Sequence, residues 1–201
     1  MTTIYLLRHG ATDWNRQQRL QGTVDIPLNE AGVQQARQVA RRLGHLQVSA
    51  VFTSPLQRAL DTAWILASSK RWPVIADDRL REIDHGTWTG MRINRIAERF
   101  PSEFACWQLR PENLWLATGE PLREARSRVV AFLYGITRAR FLGDVLVVSH
   151  GVINALLLSE AIGAPTARVW DFPQPNACVK VFSLRNRAIA SIEDLKDVAV
   201  D

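Results

Sequence analysis

Hydrophobic positions along the chain alternate between short continuous runs and helical stripes. Thr3-Ile4-Tyr5-Leu6-Leu7, Val48–Thr53 and Asp144–Ser149 are apolar runs of strand length. The last is Val-rich without polar alternation, as in a parallel strand covered on both faces. Pro73-Val74-Ile75 reads as a shorter strand, and residues 177–184 with 188–192 as a late pair at one sheet edge. Between the runs, apolar residues recur at helical spacing. Val33, Ala36, Ala40 and Leu43 share the face of a helix with Asn29 as N-cap and Gly44 just past its end. Ala59, Ala63 and Leu66 line a second helix over about 56–67. Leu122, Ala125, Val129, Phe132 and Ile136 line a long one over about 121–141. A fourth follows His150, over about 152–162, and stops at Gly163 and Pro165. This alternation predicts an α/β fold of three layers, a mostly parallel sheet with helices on both faces. Residues 84–119 break the pattern with Trp88, Trp107, Trp115, Pro101 and Pro111. They predict short helices only, an insertion beside the sheet expected to act as a lid within one domain spanning residues 1–201.

Composition narrows the class. With 201 residues, 47% hydrophobic and 22% charged, the chain can bury a core and is not disordered. The two cysteines, Cys106 and Cys178, exclude a disulfide scaffold and a four-cysteine zinc site. No apolar run approaches the ~20 residues that span a bilayer. The first apolar stretch has no basic segment before it and is interrupted by Arg8, so a cytoplasmic location is expected. The net charge of +5 rests almost wholly on arginine, the lysines being Lys70, Lys180 and Lys196. The arginines are scattered rather than clustered, which points away from nucleic acid and toward small anionic ligands.

The chain carries none of the phosphate-loop, dinucleotide, H-E-x-x-H or C-x-x-C patterns. What it carries is Arg8-His9-Gly10 after the first strand and Ser149-His150-Gly151 after the strand over Asp144–Ser149. Ligands of open α/β sheets bind beyond the carboxyl ends of strands, so both histidines are expected in that crevice. Arg58, in the first turn after Thr53-Ser54-Pro55, starts at the same sheet edge, and Glu82 follows the Val74-Ile75 strand closely. Two guanidiniums and one imidazolium can neutralise a phosphoryl group while a second imidazole attacks phosphorus and a carboxyl group supplies a proton. Cationic side chains can fill the charge-stabilising role of a metal in phosphoryl transfer.

The stretch Leu7-Arg8-His9-Gly10-Ala11-Thr12-Asp13-Trp14-Asn15 resembles the R-H-G-x-T-x-W-N signature of the histidine phosphatase superfamily, which includes the cofactor-dependent phosphoglycerate mutases. The resemblance runs on in order through Gln21-Gly22, Gly32, Ser54-Pro55-Leu56-Gln57-Arg58-Ala59, Glu82 and Val148-Ser149-His150-Gly151. It implies a phosphoglycerate mutase-like fold. It implies that His9 is the nucleophile that becomes phosphohistidine, that Arg8, Arg58 and His150 bind the phosphoryl group, and that Glu82 is the proton donor. Asn15 and the Gly151 N–H add hydrogen bonds, and Gln21 and Gly22 lie on the substrate-facing loop. Neither metal nor other cofactor is implied. The partner is a small phosphorylated metabolite, with inorganic phosphate as product and no nucleic acid or membrane; whether the chain is a monomer or a homodimer is not set by the sequence.

Within the family, the run Glu82-Ile83-Asp84-His85-Gly86-Thr87-Trp88-Thr89-Gly90-Met91 resembles the metal-independent phosphoserine phosphatases. There the residue matching His85 lies near the amino-acid part of the substrate. The Arg and Tyr that follow the acid in the mutases are missing, as is a lysine-bearing insertion, which favours a phosphatase. Pro121 replaces the Ser of a usual G-G-E-S pattern, so substrate recognition is expected to differ from the family norm. Three other readings compete: a mutase, a non-catalytic module for phosphorylated ligands, and a metal site of His9, His150 and His85.

Overall fold

The chain is seen in a computed structural model, described at all residues except 1, 69, 117, 140–142, 186–187, 190–195 and 199–201. The predicted elements form at nearly the expected places. β1 (Thr2–Arg8), β2 (Val48–Thr53), β3 (Val74–Ala76) and β4 (Asp144–Ser149) make the parallel part of the sheet. β5 (Val179–Arg185) lies antiparallel to β1, with β6 (Ala188–Ile189) beyond it, in the order β3-β2-β4-β1-β5-β6. A further strand that periodicity did not reveal, β7 (Lys196–Val198), pairs with β5. The expected ends at Phe141 and Ile192 lie outside the described residues.

Successive residues of the central strands face opposite layers. Ile4, Leu6, Val145 and Val147 pack with α6 (Leu122–Ala139) and α7 (Gly151–Ala161). Leu7, Leu146 and Val148 pack with α2 (Glu30–Arg42) and α3 (Gln57–Ala67) on the other side. This double burial is why the strand runs read as continuous rather than alternating.

Local chemistry sets the boundaries. Asn29 caps α2 as expected, its side chain accepting from the Gly32 N–H at 2.9 Å. Gly44 does not adopt the left-handed conformation expected of a helix stop; the chain tightens instead into a 3-10 turn over Leu43–His45. The late strand starts at Val179 rather than at 177, because Ala177 takes φ 58° and donates its N–H to the Arg8 carbonyl, closing off β1. The insertion holds α4 (Ile93–Arg99) and α5 (Pro101–Leu109) with short 3-10 turns, in line with the short helices expected. Its tryptophans have three fates. Trp88 is core, Trp107 lines a cavity, and Trp115 is exposed beneath the Arg123 guanidinium.

Candidate active site

The site lies where the two central strands end. β1 and β4 pair with Arg8 opposite Ser149, so His9 and His150 are adjacent in space. Their rings are 5.1 Å apart, centroid to centroid. The switch in strand order at β1/β4 is where an open α/β sheet leaves a crevice. A cavity of about 400 Å³ opens there. Arg8, His9, Asn15, Gln21 and Gly22 line it, with Arg58, Glu82, His85 and Gly151. Of the ten residues expected from the sequence only His150 contributes no lining surface; it is fully buried against His9.

Hydrogen bonds assign the atoms. His9 Nδ1 donates to the Gly10 carbonyl at 2.7 Å, which leaves Nε2 with its lone pair. Gly10 lets this loop touch the start of α2, since a Cβ there would overlap the Gly32 carbonyl. Arg58 is 0% exposed and has no carboxylate partner among the described residues. Its Nη1 donates to the Val24 carbonyl and its Nη2 to that of Gly22, each at 2.8 Å. Arg8 Nη1 donates to the Gln174 carbonyl at 2.7 Å. Four buried nitrogens, Arg8 Nε, Arg58 Nε and both of His150, have no hydrogen-bond partner among the described residues. Buried donors without acceptors are rare, and an anion with several oxygens is their natural complement.

Glu82 spans to the start of α7. One carboxyl oxygen accepts from the Ile83 N–H at 3.1 Å and the other from the Val152 N–H at 3.3 Å. Gly151 opens that helix, where first-turn N–H groups have no intrahelical acceptor and favour anions. Asn15 closes the Thr12 capping box of α1 (Asp13–Arg16), its Oδ1 accepting from the Thr12 N–H at 3.1 Å. Its Nδ2 has no acceptor among the described residues and can donate to a ligand. Gln21 Oε1 accepts from Thr12 Oγ1 at 3.1 Å. His85 is buried edge-on to Trp107, with ring centroids 5.8 Å apart.

Two polar residues were missed. Gln174, 3% exposed, donates to the Leu6 and Cys178 carbonyls at 2.8 Å and accepts from Asn154. Asn176 donates to the His9 carbonyl at 3.0 Å. Both sit in Pro173-Gln174-Pro175-Asn176, a loop with no periodicity. Polar residues interleaved with prolines beside a strand were the available signal.

The charges favour neutral imidazoles. Burial first, then Arg8 and Arg58, hold His9 well below its usual value; the bond to Gly10 opposes this only in part. Burial, Arg58, His9 and Arg8 do the same to His150. These surroundings disfavour the imidazolium expected from the sequence. Burial also lowers His85, against the pull of Glu82, and lowers Arg58 to about 10. Stability follows with a fixed sign. Below the ordinary histidine value of 6.5, the unfolded chain takes up protons that these three buried rings refuse. Stability is thus insensitive to them above pH 6.5 and falls as pH drops, by about 1.4 kcal/mol per unit for each ring still neutral. Thermal unfolding is expected to show Tm lower by roughly 8–17 °C at pH 5.5 than at pH 7.5. A His150→Asn variant should show a shallower slope; an unchanged slope would mean that the buried ring is not neutral.

Among the described residues, no group of three or more His, Cys, Asp or Glu is placed to hold a metal ion. No helix among them is long and apolar enough to cross a membrane.

Known proteins resemble the chain in sequence and in fold. Residues 4–196 match the model of the histidine phosphatase superfamily, branch 1. The chain is 33% identical over 187 residues to phosphoserine phosphatase 1 of Hydrogenobacter thermophilus, covering 93% of this chain and 89% of that protein. The solved structure of Bacillus stearothermophilus YhfR superposes with a TM-score of 0.91 at 31% identity, covering 100% of this chain and 99% of that one. Mycobacterial glucosyl-3-phosphoglycerate phosphatase, solved with VO3, superposes at 0.83 with 29% identity, covering 91% and 93%. The chain belongs to the histidine phosphatase superfamily, with its phosphoglycerate mutase-like α/β fold, and is a phosphoric monoester hydrolase.

Proposed function

We propose that the protein hydrolyses a small phosphorylated metabolite, with phosphoserine the leading candidate, by double displacement on His9 without a metal. The observation that carries this is the His9 tautomer. Nδ1 is committed to the Gly10 carbonyl, so the neutral ring offers Nε2 beside two guanidiniums that have no carboxylate partner among the described residues.

In the first step Nε2 attacks phosphorus in line and the ester P–O bond breaks. Protonated Glu82 passes its proton to the departing oxygen, and the alcohol leaves. Arg8, Arg58, the Asn15 amide and the Gly151 N–H hold the phosphoryl oxygens, and His150 takes up a proton from solvent as the charge arrives and gives it back when phosphate departs. In the second step Glu82, now a carboxylate, takes a proton from water. That oxygen attacks the phosphohistidine, and phosphate departs. Both oxygens of Glu82 are held by backbone N–H groups, so the carboxyl group is positioned for both steps. Residues 84–119, part of the same domain in this reading, supply His85 and Trp107 to the cavity wall on the leaving-group side.

The phosphoserine assignment draws on the relative from Hydrogenobacter thermophilus and on His85, buried in the cavity wall. Phosphate release measured over phosphoserine, 3-phosphoglycerate, sugar phosphates and α-ribazole phosphate in excess chelator tests it. Retained activity with phosphoserine among the best substrates is expected. Dependence on added metal would overturn the metal-free mechanism. Negligible release together with dependence on 2,3-bisphosphoglycerate would establish a mutase instead.

A further inference from the structure

Arg19 lines the same cavity as His9, Arg8 and Arg58 but has no part in the steps above. Most other arginines with a defined partner meet a carboxylate, such as Arg79 on Asp77, Arg128 on Glu120 and Arg168 on Asp171. Among the described residues, Arg19 is held by neutral acceptors only. Its Nε donates to Gln17 Oε1 at 2.9 Å and its Nη1 to the Gly90 carbonyl at 2.8 Å. Nη2 has no acceptor among the described residues.

The backbone beneath it is pinned as firmly. Gln18 takes φ 53°, and Arg19 forms an isolated antiparallel bridge with Arg92. Leu20 donates to the Met91 carbonyl at 3.1 Å and accepts from the Gly90 N–H at 2.8 Å. Arg19 is thus a guanidinium fixed before any ligand arrives, with an open pair of N–H groups and no carboxylate partner among the described residues. Its anchors set it apart from the phosphoryl ligands. Arg8 and Arg58 are held by the carbonyls of Gln174, Val24 and Gly22. Arg19 is tied instead to the Gly90 carbonyl, in the segment 84–119 that supplies His85 and Trp107 to the cavity wall on the leaving-group side of the proposed mechanism. A planar fork there matches a carboxylate, and pre-organisation lowers the cost of binding it.

We propose that Arg19 binds a carboxylate on the leaving alcohol, so that the substrate class is phosphate monoesters of hydroxy acids, amino-hydroxy acids included. This rests on the hydrolase reading above and adds a specificity residue to it.

Matched substrates differing only at the carboxylate test it: phosphoserine against phosphoethanolamine, and 3-phosphoglycerate against glycerol 3-phosphate. The wild-type enzyme should favour the acid of each pair. Arg19→Gln should lose about 10- to 100-fold in kcat/KM on the acids, mostly through KM, and at most a few-fold on their partners. Arg19→Lys, with a charge but no fork, should fall between. Equal losses on both members of each pair, or a wild-type enzyme indifferent to the carboxylate, would overturn the assignment while leaving hydrolysis on His9 standing. No turnover of any ester, p-nitrophenyl phosphate included, would overturn both.

Discussion

Replacing His9 with Ala is expected to lower kcat/KM by about 10⁴-fold or more on every phosphate ester, activated aryl phosphates included. Among the described residues, no other imidazole stands at the end of β1; His85 lies on the cavity wall against Trp107. His150 is fully buried and contributes no surface to the cavity, so it is not positioned to substitute. The loss should fall on kcat rather than on phosphate binding, because Arg8 and Arg58 take their positions from the carbonyls of Gln174, Gly22 and Val24, not from His9. Steady-state kinetics alongside a phosphate-binding titration separate the two. A variant that kept a tenth of wild-type turnover would mean that water, not His9, attacks phosphorus.

Glu82→Gln is expected to give the second largest loss, and an uneven one. General acid catalysis contributes about 10²- to 10⁴-fold where the leaving oxygen is a poor one, as in a serine or glycerate ester. A nitrophenolate needs little proton assistance, so p-nitrophenyl phosphate should lose less than about tenfold in its first step. The amide can still accept one of the two backbone bonds that hold Glu82, from Ile83 or from Val152, which keeps the fold intact. Equal losses on both ester types would assign Glu82 a purely structural role at the start of α7.

The sheet and its helices were legible because double burial writes itself into sequence as unbroken apolar runs such as Val145–Val148. The His9 and His150 loops were legible because each follows such a run. Arg58 and Glu82 were weaker signals one by one; the ordered resemblance made them a set. Other features were beyond reach for physical reasons. The four residues of α1 are shorter than any hydrophobic period, although Thr12 and Asn15 carry a capping pair. Gln174 acts by tying three parts of the chain together across 168 positions to Leu6, and no local pattern encodes such a bond. The neutral state of His150 depends on the burial and neighbouring charges that only the assembled fold supplies. Arg19 looks in sequence like any of the scattered arginines; it stands out once its partners prove to be an amide and a carbonyl.

The central claim is that the His9 imidazole carries the phosphoryl group during turnover. Rapid quenching with radiolabelled phosphoserine or an aryl phosphate, followed by peptide mapping, tests it directly. The expected result is label that survives base, is released by acid and maps to His9, at a level that rises and decays at the rate of turnover. Label on another residue, or an enzyme that turns over fully while remaining unlabelled, would contradict it.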